Sequence, residues 1–582
     1  MRKFVFTLSV CIGSIFGVFG QTVTATQEVL EGYRNIPQEE IYVHYNTNLL
    51  FAGEYLYYKV YCKNSTTQKL STLSKVSYVE LVASDGRSVF KHKVRLHNGK
   101  GQGDFFLPVG TPSGSYKLIA YTQWMRNSGE KVFFNGDVAI INPYQNAQES
   151  ILLSETNEGE PQRIITNNTQ ENLIANNSGI RTNKTLFAPR ERVVVTLNNQ
   201  SMDLTGGTYS ISVKKRDFNV PFAKVNSQNY KKRPSKQVTP RLGETLYLPE
   251  LRGEVVWGNV VDKTNKGPIA NAKVALSIPG QDFVTKIANT NEKGVFYFIL
   301  QEEFNDEKAT FQVLGDTASD YSIEVKEHTS INYDGLEFQP FYIDANLEES
   351  IVKRSVYNQI ENGYYELKPD TVKLPVASKP FYGKRGTSYD LDDYKRFSTV
   401  KETFLEFIDD AWTKNVNGET VFSVRSYENT LVSDFPPLII IDGIVLQDQQ
   451  QLVDYPSRKI KTIGIVRDKY YLGADVFQGV IIVETIEGDF YDTLRGDYVA
   501  KINLFTPQSK KSYFAQQYGK DGNDRIPDFR SQLLWEPNAE VTSEGDQWHF
   551  YTSDNTGTYE ISFEGFTENG LPVSLKKTIE VK

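Results

Sequence analysis

Between Phe435 and Gly488 the chain reads FPPLIIIDGIVLQDQQQLVDYPSRKIKTIGIVRDKYYLGADVFQGVIIVETIEG, and this stretch limits the fold more than any other. Its apolar run from Leu438 to Ile441 stops at Asp442-Gly443 and resumes at Ile444-Val445-Leu446. Asp-Gly accepts the left-handed backbone that a two-residue connection demands, so the spacing predicts a tight hairpin. A third run, Ile460 to Val466, alternates polar with apolar residues. A fourth, Gly479 to Thr485, is almost continuously apolar and β-branched. Gly473, in the Tyr470-Tyr471-Leu472-Gly473 segment between them, can take a conformation barred to residues with a side chain. These runs predict a small, partly buried sheet, and none of them carries chemistry.

The order Pro437-Leu438, Asp442-Gly443, Tyr455-Pro456, Lys459-Ile460, Tyr471-Leu472-Gly473 and Gly479-Val480-Ile481 resembles the plug domain of TonB-dependent outer-membrane receptors, in the barrel-less form found in Bacteroidota envelope proteins. In the receptors the plug fills a barrel of about 22 strands, which at about 10 residues per strand needs well over 200 residues. Only 95 residues follow Glu487, so the chain is expected not to be the transporter that the resemblance suggests.

The chain opens MRKFVFTLSVCIGSIFGVFGQ, with Arg2 and Lys3 before an apolar stretch and Gly20 before Gln21, the form of a secretory signal over 1–20. The apolar stretch is shorter than the ~18 residues a membrane span needs. Cys11 follows Leu-Ser-Val rather than the small residue a lipid-anchor signal places there. After cleavage Cys62 would be the one cysteine, which excludes an intramolecular disulfide even in an oxidising compartment. Losing Arg2 and Lys3 takes the net charge from −8 to −10, which points away from nucleic acid. No later stretch predicts a transmembrane segment, so association with a membrane is expected to run through partners.

The predicted fold class is mainly β: a string of sandwiches plus a small α+β module. From Glu40 to Tyr144 strand-forming runs are punctuated by Ala52-Gly53, Asp85-Gly86 and Ser113-Gly114, giving one sandwich over 21–145. Phe51-Ala52-Gly53-Glu54, Pro112-Ser113-Gly114-Ser115-Tyr116 and the Ala120 to Asn127 run resemble the macroglobulin-like domain, a scaffold and docking module. Protease-trapping relatives form a thioester within Cys-x-Glu-Gln, whereas Cys62 is followed by Lys63-Asn64-Ser65, so a covalent trap is not expected. A linker is predicted over 146–185, rich in Asn, Thr and Glu, and a second macroglobulin-like sandwich over 186–250. Tyr230 to Arg241 holds five basic and no acidic residues, read either as a solvated loop or as a contact with anionic lipid headgroups or an acidic partner.

Residues 251–328, with Asp262-Lys263-Thr264-Asn265-Lys266-Gly267-Pro268-Ile269 and Asn291-Glu292-Lys293-Gly294, resemble the carboxypeptidase-regulatory-like domain. The resemblance implies a seven-stranded prealbumin-type sandwich without catalytic groups. A connector over 329–385 is expected to hold a short amphipathic helix between Asp344 and Gly363, with Leu347, Ile351, Val352, Val356 and Ile360 near helical spacing. The plug-like module is assigned to 386–490, entered by a helix that Ser398 would cap, with Phe404, Leu405 and Ile408 on one face. Residues 491–582 are read as a terminal immunoglobulin-like sandwich.

No catalytic, cofactor-binding or metal-ligating residue is assigned. The histidines at 44, 92, 97, 328 and 549 lie at no zinc spacing. His92 and His97, five apart on a strand, would point to opposite faces and are read as surface residues. No nucleophile elbow or phosphate loop appears, and Asp521-Gly522-Asn523-Asp524 lacks the later ligands of a calcium loop. The expected function is that of a non-enzymatic accessory or scaffold subunit of an outer-membrane complex, in transport or β-barrel assembly. It would be exported to the periplasm or cell surface and would dock through its sandwiches and plug-like module. The alternatives are an adhesin or glycan-binding protein using exposed aromatics, and a hydrolase carrying sandwiches as accessory modules.

Overall fold

The computed structural model describes the chain from Thr22 to Lys582 except residues 25, 147, 149–150, 154–162, 169–178, 198–202, 231–240, 281–282, 302–303, 305–306, 328, 374–381, 384–385, 428–434, 474, 520–524 and 543–545. The signal segment 1–20, the basic run over 231–240, His328 and the Asp521–Asp524 segment lie outside the described residues.

Turn-punctuated strands with apolar faces pair into sheets, and here they build three two-sheet sandwiches and one α/β module. In the first sandwich, Glu39–Tyr45, Tyr55–Asn64 and Lys100–Phe106 face a five-stranded sheet built on Val76–Ala83, Gly114–Tyr121 and Phe134–Ile141. Its core is rich in tyrosine, and a buried hydroxyl needs a partner. Tyr121 donates to Glu80 at 2.6 Å and Tyr42 to Glu564, in the second sandwich, at 3.0 Å.

The second sandwich corrects the linear division of the chain. Its five-stranded sheet runs Leu186–Phe187, Pro572–Val581, Gly557–Phe566, Thr208–Lys215, Gln532–Ala539. The segments 186–250 and 491–582, expected as two separate sandwiches, therefore share one core in which Phe187, Ile211 and Val213 pack with Ile561, Phe563 and Val581. Nor is 146–185 wholly a linker. Ile164–Asn167 pairs with Phe218–Asn219 and Tyr342–Ile343, Ile180–Thr182 joins the second sandwich, and Ile165 is fully buried.

The third sandwich has sheets of three and four strands, as a seven-stranded prealbumin-type fold requires, but the seventh strand comes from far along the chain. Val499–Asn503 pairs with Lys308–Leu314, Phe311 opposite Ala500. The α/β module is thus inserted between the sixth and seventh strands of the third sandwich, and both lie between the two halves of the second.

The module's sheet has the order Thr387–Asp390, Ile460–Leu472, Asp475–Thr485, Leu438–Ile441, Ile444–Val445. Leu438–Ile441 runs parallel to the preceding strand, Leu438 opposite Val480 and Ile441 opposite Val483. Strands covered on both faces read as unbroken apolar runs. That is the case here: Ile439, Ile441, Ile481 and Val483 pack under the helix Val400–Glu406, while Leu438, Ile440 and Val480 pack against Ala275 and Ile287 of the third sandwich. The sheet is buried on both sides at its centre, more deeply than the sequence suggests.

The predicted hairpin forms. Ile441 pairs with Ile444, and Asp442 and Gly443 have φ of 49° and 82°. The Asp442 carboxylate accepts from the Thr485 amide at 2.8 Å, the Thr485 hydroxyl at 2.6 Å and the Phe490 amide at 3.2 Å, which fixes the turn to the sheet's end. Both hairpin tips touch the third sandwich. A Cβ on Gly443 would lie 2.6 Å from Phe283 Cβ, and one on Gly473 (φ 63°) only 2.4 Å from the Ile287 carbonyl oxygen. The edge strand Ile444–Val445 is capped rather than exposed, since the Val445 amide donates to Ser277 Oγ at 3.2 Å and the Gln312 amide donates to the Val445 carbonyl.

The entry helix is capped by Thr399, not Ser398, in a reciprocal capping box with Glu402. Phe404 and Ile408 are buried as expected, whereas Leu405 is 82% exposed. Ile440→Ala is expected to cost about 2–5 kcal/mol of stability in chemical denaturation, by lost burial and a residual cavity. Leu405→Ala should change stability by less than about 0.5 kcal/mol, as surface substitutions do.

Candidate functional site

The helix predicted between Asp344 and Gly363 forms over Glu348–Gly363, but it buries a different face. Ile351 is buried as expected, yet Val352 and Val356 are exposed and the remaining buried side is Arg354, Ser355 and Asn358. The reason is Glu54, at the end of a turn in the first sandwich. Arg354 Nε and Nη2 donate to its two oxygens at 2.8 Å each, Asn358 donates at 3.2 Å, and Lys214 of the second sandwich lies 3.6 Å away. Burial pushes the Glu54 carboxyl up, but the Arg354 and Lys214 charges and the hydrogen bonds outweigh it and hold the group at about 2. The cluster locks helix, first sandwich and second sandwich together.

A second cluster does the same at the helix's far end. Asp528 receives both arms of Arg530 at 2.7 Å and is held at about 2, burial being outweighed by the Arg530 charge. Lys368 bridges Glu361 at 2.7 Å to Asp528 at 3.6 Å, and Arg190 clasps Asp554. A cavity of about 140 Å³ lies between the two clusters, lined by Tyr57, Lys368, Arg530 and Trp535 among others. Of its charged lining residues, Glu54 and Lys214, Glu361 and Lys368, and Arg530 with Asp528 are paired, as in a structural clamp, while Asp370 accepts from the Phe514 amide at 2.9 Å.

One contact resembles a nucleophile with its base: His44 Nδ1 lies 2.6 Å from Ser210 Oγ. Both residues are fully buried at the junction of the first two sandwiches, and the ring's other nitrogen faces Ser562 Oγ at 3.4 Å rather than a carboxylate. Burial, then Lys224 and Lys576, holds this imidazole well below its ordinary range, so it is neutral. The pair lies within the interface of the two sandwiches, with the Tyr61 hydroxyl 2.9 Å from Ser210 Oγ. His92 is half-buried, not at the surface, against Phe90 and Phe105 with Tyr58 Oη at 2.8 Å, and burial holds it at about 4; His97 is exposed. Among the described residues no group of three or more His, Cys, Asp or Glu side chains could hold a metal ion, and no helix is long and apolar enough to cross a membrane.

The surface that stands out is on the α/β module, around the hairpin Ile460–Leu472 and Asp475–Thr485. Tyr471, Tyr427 and Phe435 are 75%, 58% and 46% exposed. The Arg467 guanidinium sits 4.3 Å from the Tyr427 ring centroid, held by Asp410 at 3.3 Å and by the carbonyls of Arg425 and Ser426. Lys469 Nζ lies 5.6 Å from the Phe435 ring. Aromatic rings with an immobilised arginine are what well-packed protein interfaces use most. Arg467, Lys469 and Tyr471 lie on a strand whose periodicity marks no partner for them, Tyr427 and Phe435 lie outside any strand, and nothing in the sequence pairs Arg354 with Glu54.

No known protein family and no curated protein matches the chain. Solved structures with sandwich domains do. The trypsin-activated α2-macroglobulin of Escherichia coli is 9% identical over 93% of this chain and 41% of its own, with a TM-score of 0.23. The methylamine-reacted Salmonella α2-macroglobulin gives 9% identity over 93% and 39%, also at 0.23. The Yersinia pseudotuberculosis adhesin InvE gives 10% identity over 49% and 57%, at 0.13. The chain spans about two fifths of the macroglobulins it matches.

Arg354→Met should destabilise the full chain by about 3–5 kcal/mol, because it strands a buried carboxylate. The acid limb tests the same cluster. A carboxyl lowered from 4.5 to about 2 contributes stability that is complete above pH 4.5 and is lost as pH falls through 2. Denaturation midpoints of Glu54→Gln between pH 5 and pH 2 should therefore fall less steeply than those of the unaltered chain.

Proposed function

We propose that the chain is an exported, non-enzymatic scaffold that docks on a β-barrel protein complex of the outer membrane, through the aromatic and basic surface of its plug-like module. The observation that carries this reading is the exposed Tyr427 and Phe435 rings against Arg467 and Lys469 of a hairpin that also exposes Tyr471, on a module that is itself clamped to a sandwich. Pre-positioned side chains lose little freedom on binding, which favours a protein partner of defined shape. The ion clusters that fix the helix between the first two sandwiches support a scaffold role, since they hold the modules at set angles instead of leaving them on linkers. The apolar start of the sequence with Arg2 and Lys3 supports export, and processing should leave Gln21 as the first residue.

The same exposed aromatics also favour a second reading, an adhesin or glycan-binding role, in which sugar rings would stack on Tyr427 or Tyr471. Purification of the native protein from membranes in mild detergent separates the two. The scaffold reading predicts co-purification of an outer-membrane β-barrel protein, reduced at least tenfold by Tyr471→Ala with Arg467→Ala while the fold is kept. Recovery of the chain alone, together with retention on polysaccharide columns that these substitutions abolish, would favour the adhesin.

A further inference from the structure

A cleft of about 400 Å³ opens where three sandwiches converge. Lys59, Arg95 and Lys100 reach it from strands of the first sandwich, and Lys373 and Lys510 from the paired segments that run past it. His97 also lines it, and Glu307 is the one carboxylate among the lining residues. A chain whose net charge is −8 has gathered five lysine and arginine side chains around a single concave space. Such a concentration focuses the field inside the cleft and draws in anions.

The cavity beside Lys214 shows what a merely structural cluster looks like in this protein. There Lys215 pairs with Asp217 and Lys576 with Glu560, each at 3.0 Å. In the basic cleft, no ion pair among the described residues involves Lys59, Lys100 or Lys373. Lys59 is 2% exposed and donates to Asn538 Oδ1 at 2.6 Å; Asn538 donates to Gln102 Oε1 at 2.7 Å, and Gln102 in turn to the Lys511 carbonyl at 2.9 Å. That relay of amides fixes a buried ammonium group in the cleft's wall. Burial, then the nearby Lys100, with Glu536 opposing, pushes Lys59 down to about 7. A bound anion would restore its full charge.

We propose that this cleft binds a compact, multivalent anion of phosphate chemistry, with Lys59 and its amide relay as the fixed contact and Lys100, Arg95 and Lys510 closing round it. A carboxylate offers two acceptor oxygens, whereas a diphosphate or phosphorylated sugar offers enough to engage several cations at once, and such ligands fit pockets of a few hundred Å³. The source could be a soluble phosphate compound or the phosphorylated headgroup of an envelope glycolipid, which present the same groups to the cleft.

The test uses the full mature chain and inorganic pyrophosphate, followed by isothermal titration calorimetry at low salt. Saturable one-to-one binding is expected, weakened at least tenfold by Lys100→Gln and by Lys59→Met and unaffected by Lys353→Gln, an exposed position on the helix Glu348–Gly363. Lys100→Gln and Lys510→Gln lie nearer the mouth and keep the test valid should Lys59→Met fail to fold. Binding to vesicles carrying a bis-phosphorylated glycolipid, displaced by pyrophosphate, identifies the lipid headgroup as the source; pyrophosphate binding without vesicle binding identifies a soluble ligand. No pyrophosphate binding by the folded chain, or equal binding by the cleft variants, would overturn the proposal.

Discussion

The structure depends on a pair of adjacent strands, Leu438–Ile441 and Asp475–Thr485, that have no polar face at their centre. One side of this sheet is satisfied locally by the helix Val400–Glu406 and the surrounding apolar residues. The other side packs against the third sandwich, through Ala275 and Ile287, with Val466 and Tyr470 of the module's own hairpin at its margin. Exposing Leu438, Ile440 and Val480 together would forfeit about 1.5–3 kcal/mol for each side chain, too much for a marginally stable domain to lose. The α/β module and the third sandwich are therefore obliged to act as one body, and the glycines at the two hairpin tips allow the backbones to come close enough.

Nested insertion follows from the same constraint. Because the seventh strand of the third sandwich lies after the module, the sandwich is not complete until the module's two ends have been brought together. The second sandwich encloses both in turn, closing when Gly557–Phe566 pairs with Thr208–Lys215. Contacts of such long sequence separation are slow to form and leave few places for a hinge. The buried charge clusters at Glu54 and Asp528 remove further freedom by anchoring the intervening helix at both ends. A surface carried on that framework, whether the aromatic patch or the basic cleft, is held at a fixed position, which suits a docking protein better than a flexible string of modules would.

Much of this was legible in the residues. Asp442-Gly443 specified its hairpin, the unbroken apolar runs specified strands, and the capping pattern near Ser398 placed a helix to within one residue. What local pattern could not reveal was pairing over hundreds of residues. Thr208–Lys215 and Gly557–Phe566 each read as an ordinary half-buried strand, and either could have closed a sandwich with its sequence neighbours. The helix Glu348–Gly363 shows a different limit. Its apolar spacing implied burial of Val352 and Val356, but a single bidentate ion pair with Glu54 turned the polar side inward. The basic cleft escaped for a related reason, since Lys59, Lys100 and Lys510 come from separate segments and form no charge run in the sequence.

Native-state hydrogen exchange across a denaturant series, on the intact chain, tests the central claim most directly. If the two-sided burial makes one body, amides of Lys273–Ile278 in the third sandwich and of Leu438–Ile441 in the α/β module should exchange through a common opening, with the same free energy and the same denaturant dependence. Separate openings, with the module's strands exchanging while the sandwich keeps full protection, would contradict it.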